Sequence, residues 1–262
     1  MYNNSEYLIQ KEANAAKARF HLEEIKKFDA EIQHSIEHTS EYTETVLDNH
    51  TEAGHVPTCT LINQDCVSAI MQTVQEAPFA RTAVLNFANY KTPGGTFLQG
   101  STSQEECLCH TSTLYPVLTA QSQFYNRNCT RINKGLYTNR ALYSEAIRFE
   151  QDGNVVLCDV LTCAAPNRKI AQDFCHVSDN ENLEALANRI KFLLDVADYN
   201  YVDNLILGAF GCGAFHQSAR QVARIFQEHL NSGRYHFKNI IFAVPTLPGV
   251  PYSHYDMFKL YF

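Results

Sequence analysis

The stretch "NLILGAFGCGAF", Asn204 to Phe215, passes from a short apolar run into a loop holding Gly208, Gly211 and Gly213. An apolar run this short, ended by a turn signal, reads as a strand covered on both faces. A helical stripe of Val222, Ile225, Phe226 and Leu230 follows it. The same kind of strand recurs in "AVLNF" from Ala83, "NVVLCDVLTCAAP" from Asn154 and "NIIFAV" from Asn239, and more weakly in "TCTLI" from Thr58. Between them, "SDNENLEALANRIKFLLDVADY" carries a capping box at Ser178 and Glu181 and an apolar stripe of Leu183, Leu186, Ile190 and Leu193. Strands alternating with helices predict an α/β protein, a three-layer α/β/α sandwich with a mixed, largely parallel sheet. Such sheets bind ligands beyond the carboxyl ends of their strands, so the loops after Phe87, Pro166 and Ala209 are the places to search.

Upstream, Leu22, Ile25, Phe28, Ile32 and Ile36 recur at helical spacing and predict an N-terminal helical extension between Lys11 and His38. The polar stretch from Glu37 to Pro57 reads as a connection. The expected division is residues 1–54 as extension and connection, then 55–262 as the main domain. With 19% charged and 45% apolar residues the chain has the composition of a folded globular protein. A net charge of -7 and the lack of any Lys/Arg-rich run argue against DNA as a partner, since gripping a phosphate backbone needs clustered cations. No apolar run approaches the length of a membrane span, and the N-terminus lacks a secretory pattern. Nine cysteines, an odd number, several of them inside apolar runs, suit reduced core residues and a cytosolic (cytoplasmic) compartment.

Two loops carry candidate chemistry. The glycines of the 208–215 loop either make a tight strand-to-helix turn or bring backbone amides close to an anion such as a diphosphate. The loop lacks the G-K-[ST] ending of a nucleotide triphosphatase. In "NFANYKTPGGTFLQGSTSQEE", Asn86 to Glu106, Asn86 and Asn89 end a strand, Gly94 and Gly95 open a second flexible loop, and Gln104, Glu105 and Glu106 precede a helical pattern. The asparagines serve either turn chemistry or recognition of ligand hydroxyls. The two acids either complement a helix dipole or, if buried, supply a general acid, because desolvation and a neighbouring charge both raise a carboxyl pKa. Cys107, Cys109 and His110 lack the second ligand pair of a zinc site, so neither metal nor other cofactor is expected.

Taken in order, these motifs resemble the bacterial-type poly(ADP-ribose) glycohydrolases, which are built on the macrodomain fold. That family's signature is three glycines and, shortly after, Q-E-E. Here Gly94-Gly95-Thr96 is followed by Phe97 to Ser103 and then Gln104-Glu105-Glu106. The similarity continues through "STLYP", "LTCAAPN", "LILGAFGCGAF" and "IIFAV". The resemblance implies hydrolysis of O-glycosidic bonds of ADP-ribose, with Glu106 as catalytic acid and Glu105 holding the reacting ribose. It implies ligand contacts from Asn89, Gly94, Gly95, Thr96 and Gln104, and from Gly211, Cys212, Gly213, Ala214 and Phe215. The expected partner is ADP-ribose or an ADP-ribosylated protein or polymer. The alternatives are a macrodomain that binds ADP-ribose without cleaving it, and a hydrolase of mono-ADP-ribosylated proteins. Thr96 stands where the family usually has glycine, and its Cβ is expected to crowd the loop.

Overall fold

The computed structural model describes residues 4–44, 53–246 and 253–262. Seven strands form one sheet: β1 (Thr39–Thr43), β2 (Thr58–Ile62), β3 (Thr82–Phe87), β4 (Arg140–Gln151), β5 (Asn154–Cys163), β6 (Asn204–Leu207) and β7 (Asn239–Ala243). Their order is β1-β4-β5-β3-β6-β7-β2. The five strands from β5 to β2 run parallel, while β4 and β1 are antiparallel additions at one edge.

Alternation along each strand sends side chains to two separate cores. In β3, Ala83 and Leu85 join Leu205, Leu207, Ile240 and Phe242 on one face, under α8 (Asp179–Tyr199), α9 (Ala219–Leu230) and α10 (His254–Phe258). Val84 points the other way with Val160 and Ile206, under α1 (Asn4–Glu24), α2 (Asp29–Glu37), α3 (Cys66–Glu76), α4 (Gln104–His110), α5 (Leu114–Ala120) and α6 (Ser122–Cys129). A short α7 (Arg168–Cys175) lies after β5. The expected layers are thus present, and helix α8 begins at the expected capping box of Ser178 and Glu181.

The edge of the sheet corrects the sequence reading. Thr39–Thr43, expected within a connection, is strand β1, paired from Thr39 with Ser144 to Thr43 with Arg140. Only Tyr42 of these residues is buried, so the strand is held by its ladder of backbone hydrogen bonds and gives little apolar signal. Positions 45–52 of that stretch lie outside the described residues. Strand β4 is likewise not evident from composition; its register shifts between Ser144 and Ile147, where Asp159 accepts the Ala146 amide at 2.8 Å and the Tyr143 hydroxyl at 2.7 Å. That bulge breaks the alternation a sequence reading depends on.

The N-terminal helix packs directly on the loop that follows β3. At Gly100 φ is +82°, and a Cβ there would lie 1.9 Å from the Lys11 carbonyl oxygen and 2.9 Å from the Ala15 nitrogen. Backbone atoms cannot yield as a side chain would, so only glycine lets α1 close on the loop. The Asn14 amide donates to the Gly100 carbonyl at 3.3 Å, and the His21 Nε2 meets the Ser112 carbonyl at 2.8 Å. Gly100→Ala is expected to cost about 2 kcal/mol or more in a denaturant titration, through strain and the opening of this contact.

Candidate active site

The residues singled out from sequence converge where β3 ends. Backbone leaves the sheet at Phe87, crosses a loop holding Gly94, Gly95 and a short 3-10 turn at Phe97–Gln99, and enters α4 at Gln104. Gln104 ties the two ends of this path together. Its side-chain oxygen accepts the Phe87 amide at 2.8 Å and its nitrogen donates to the Leu85 carbonyl at 2.7 Å. Gln104 thus continues the hydrogen bonding of β3 on the edge where its pairing with β6 ends at Val84, and it also lines the cavity at the ends of these strands.

Both glutamates lie inside the protein, Glu105 at 3% and Glu106 at 5% exposure. Glu105 Oε2 accepts the Asn89 amide at 2.7 Å and Oε1 accepts the Asn86 side-chain nitrogen at 3.3 Å. Glu106 Oε1 accepts the Thr96 amide at 2.9 Å, and Oε2 is buried with no hydrogen-bond partner among the described residues. Gly95 sits over both carboxyls: at φ +57° a Cβ would fall 2.5 Å from Glu106 Oε1 and 3.1 Å from Glu105 Oε2. The glycine loop and the acids are one unit, because any side chain at 95 would occupy the carboxylates' place.

Burial decides the competition between helix dipole and desolvation at Glu105. It pushes that carboxyl up to about 8, against the lowering influence of the Asn89 and Asn86 donors and with a further raising contribution from the Glu106 charge. Near neutrality Glu105 holds its proton.

The remaining candidates divide by what their polar atoms already do. The Asn89 side-chain oxygen accepts the amides of Lys91 at 2.9 Å and Thr92 at 3.0 Å, which is the turn chemistry open to it from sequence. Thr96 has φ −110°, a conformation open to any L residue, and an exposed side chain, so the expected crowding of the loop by its Cβ is not found. In the second loop Cys212 is buried, burial pushes its thiol up to about 12, and its amide donates to the Ala209 carbonyl at 3.0 Å. Its expected ligand contact thus does not come from its own amide. Among the described residues the amides of Gly213, Ala214 and Phe215 have no backbone acceptor. They form three consecutive donors at an exposed turn, the pattern of an anion nest. Gly211, at φ +74° and with Ala165 Cβ only 2.6 Å from where its own would be, sets the turn that presents them. Phe215 is half-buried, edge-on to Tyr137 at 6.2 Å, and Tyr137 stacks on Tyr90 at 4.1 Å. This aromatic trio joins the two loops.

Sequence reasoning missed the tyrosine pair and an apolar cavity of about 270 Å³ at the ends of β3, β6 and β7. Phe87, Ala209, Val244 and Pro245 line it, with Asp65 and Cys66 at the start of α3. Its walls come from six segments scattered along the chain, including Thr102, Gln104 and Cys107 beside the glutamates and His254 of α10. His110 packs its ring edge-on against Phe97 at 4.6 Å, a core contact. No group of three or more His, Cys, Asp or Glu among the described residues is placed to hold a metal ion. No helix among them is long and apolar enough to cross a membrane.

A glycine loop after β3 over two buried glutamates, with a second glycine loop after the neighbouring strand β6, is the arrangement of a macrodomain. Comparison with known proteins agrees. The family model for the microbial-type PARG catalytic domain matches residues 10–152, and the chain belongs to that family. Poly(ADP-ribose) glycohydrolase from Thermomonospora curvata superposes with a TM-score of 0.85 at 26% identity, over 96% of this chain and 100% of that one. A second structure of that enzyme, bound to the inhibitor ADP-HPD, gives 0.84 at 24% identity and shows the fold alone; it too covers 96% of this chain and 100% of its own. The T267R mutant of the Deinococcus radiodurans enzyme in complex with ADP-ribose gives 0.76 at 28% identity, over 87% of this chain and 96% of that one. No curated protein sequence matches the chain significantly.

The Glu105 carboxyl has a pH signature. Its pKa is about 8 folded against 4.5 for the free side chain, so the folded state binds the extra proton between those values. Stability from this group is therefore complete below about 4.5 and is lost as pH rises through about 8. Glu105→Gln, which cannot ionise, is expected to flatten the fall in unfolding free energy between pH 5 and pH 8 in denaturant titrations.

Proposed function

We propose that the protein hydrolyses the O-glycosidic bonds of poly(ADP-ribose), with Glu106 as general acid and base. One observation carries this reading: Glu106 Oε1 is held by the Thr96 amide beside Gly95, while Oε2 is buried and has no hydrogen-bond partner among the described residues. A buried carboxyl oxygen without a partner costs free energy, and such a cost is retained where that atom has chemical work.

The diphosphate of ADP-ribose suits the amide nest at Gly213, Ala214 and Phe215, where backbone donors meet an anion without needing a cation. A Cβ on Gly213 would meet nothing within 4 Å, so its glycine is not demanded by packing and suits the close approach of a ligand. The apolar cavity at the ends of β3, β6 and β7 suits the adenine, and the glutamates take the ribose. There Glu105, neutral below about pH 8 and fixed by Asn89 and Asn86, orients the sugar through its hydroxyls.

Cleavage of such bonds proceeds through an oxocarbenium-like transition state. The Glu106 proton passes from Oε2 to the leaving ribose oxygen as the C1–O bond breaks. The resulting carboxylate then takes a proton from the water that attacks C1, restoring the acid and releasing ADP-ribose. The nine free thiols support a reducing, cytosolic setting for this reaction.

Glu106→Gln keeps the shape of the site and removes the proton donor. Turnover of auto-modified polymer is expected to drop by about 10² to 10⁴, with ADP-ribose affinity by calorimetry close to that of the unmodified protein. Full turnover in this variant would reject the assignment.

A further inference from the structure

We propose that Thr96 and Ser101 are positioning residues that set the proton affinity of Glu106, the Thr96 hydroxyl turning between the Ser101 oxygen and Glu106 Oε1 as the carboxyl loses and regains its proton. This rests on Glu106 being the acid and base assigned above.

The Thr96 hydroxyl has one proton and two acceptors in reach, Ser101 Oγ at 2.6 Å and Glu106 Oε1 at 3.4 Å. The competition is held in place by its surroundings. The Thr96 amide grips the same Oε1 at 2.9 Å, and the Ser101 amide donates to the Thr96 carbonyl at 3.3 Å. Ser101 itself follows Gly100, which α1 pins through the close approach of the Lys11 carbonyl and the hydrogen bond from Asn14.

A carboxylate oxygen is a stronger acceptor than a hydroxyl oxygen or the carbonyl of a neutral acid. With Oε1 accepting the Thr96 amide, the proton of the neutral acid resides on Oε2. When Oε2 gives that proton to the leaving group, Oε1 gains charge and draws the Thr96 hydroxyl away from Ser101. When the carboxylate takes a proton from water, the hydroxyl returns to Ser101. No proton moves through Thr96. Its hydroxyl stabilises the ionised stage, and Ser101 opposes that by competing for the same hydrogen.

Other charges also act on Glu106. On its own helix Glu105, Cys107, Cys109 and His110 are near enough to interact with it. Behind them Asp65 faces Cys107 from the start of α3, and Lys17 and His21 of α1 face His110. Those groups are common to every variant below, so they do not produce displacements of opposite sign.

The test is the pH dependence of kcat on polymer for the unmodified protein and for Thr96→Val, Ser101→Ala and Thr96→Ser. Activity needs both carboxyls protonated, so the basic limb belongs to the Glu105–Glu106 pair, and its displacement among variants that leave Glu105 untouched reports Glu106. Thr96→Val removes the donor and is expected to move that limb up by roughly half a pH unit; Ser101→Ala frees the donor for Glu106 and is expected to move it down by roughly as much. Thr96→Ser keeps the hydroxyl and is expected to leave the limb in place, and ADP-ribose affinity checks that each variant is folded. Displacement of both limbs in one direction, or of neither, would overturn the proposal. Glu106→Gln separates the two readings: if it retains turnover the function itself is wrong, and if it is inactive while the limbs fail to diverge, only the role of Thr96 and Ser101 falls.

Discussion

The burial of two adjacent carboxyls at the start of α4 is the constraint around which this half of the molecule is arranged. Removing a carboxylate from water costs several kcal/mol unless donors replace the water or the group takes up a proton. Both solutions are used side by side. Glu105 receives the Asn89 amide and the Asn86 side chain and is pushed up to about 8, whereas Glu106 receives the Thr96 amide on one oxygen only. The donors come from the end of β3 and from the loop after it. Strand, loop and helix are therefore bound to each other through the acids.

That arrangement explains why the loop is shaped as it is. Gly95 must lack a side chain because the carboxylates occupy its place, and Gly100 must lack one because α1 does. The Gln104 amide closes the path by extending β3. The N-terminal helix, set apart from the main domain in the sequence reading, contacts the loop on its outer side. It belongs to the support of the site, and the family match from residue 10 onward includes it.

The second glycine loop presents backbone donors. The chain has a net charge of -7, and among the described residues the amides of 213–215 have no backbone acceptor, so donors that suit an anion are present there without a cation. Directed N–H groups at a turn recognise phosphate oxygens without long-range attraction for polyanions in general. The Tyr90, Tyr137 and Phe215 rings keep this turn in register with the loop that carries the acids.

Apolar runs and caps in the sequence determined the parallel strands β3, β5, β6, β7 and β2 and the helices α8 and α9, because those signals are local and repeat with the period of the element. The ordered Gly, Q-E-E and G-x-G motifs likewise identified the two loops. Strand β1 was not legible, since a single buried side chain, Tyr42, gives no alternation, and β4 is interrupted by its bulge. Nor was the division of labour within the motif. Gln104 bonds the backbone of Leu85 and Phe87, Asn89 and the Cys212 amide close local turns, Thr96 lies at an ordinary φ, and the cavity is walled by six segments scattered along the chain. A sequence records which donors and acceptors exist. Which of them remain free for a ligand depends on what the folded chain brings within about 3 Å of each, and only the tertiary structure decides that.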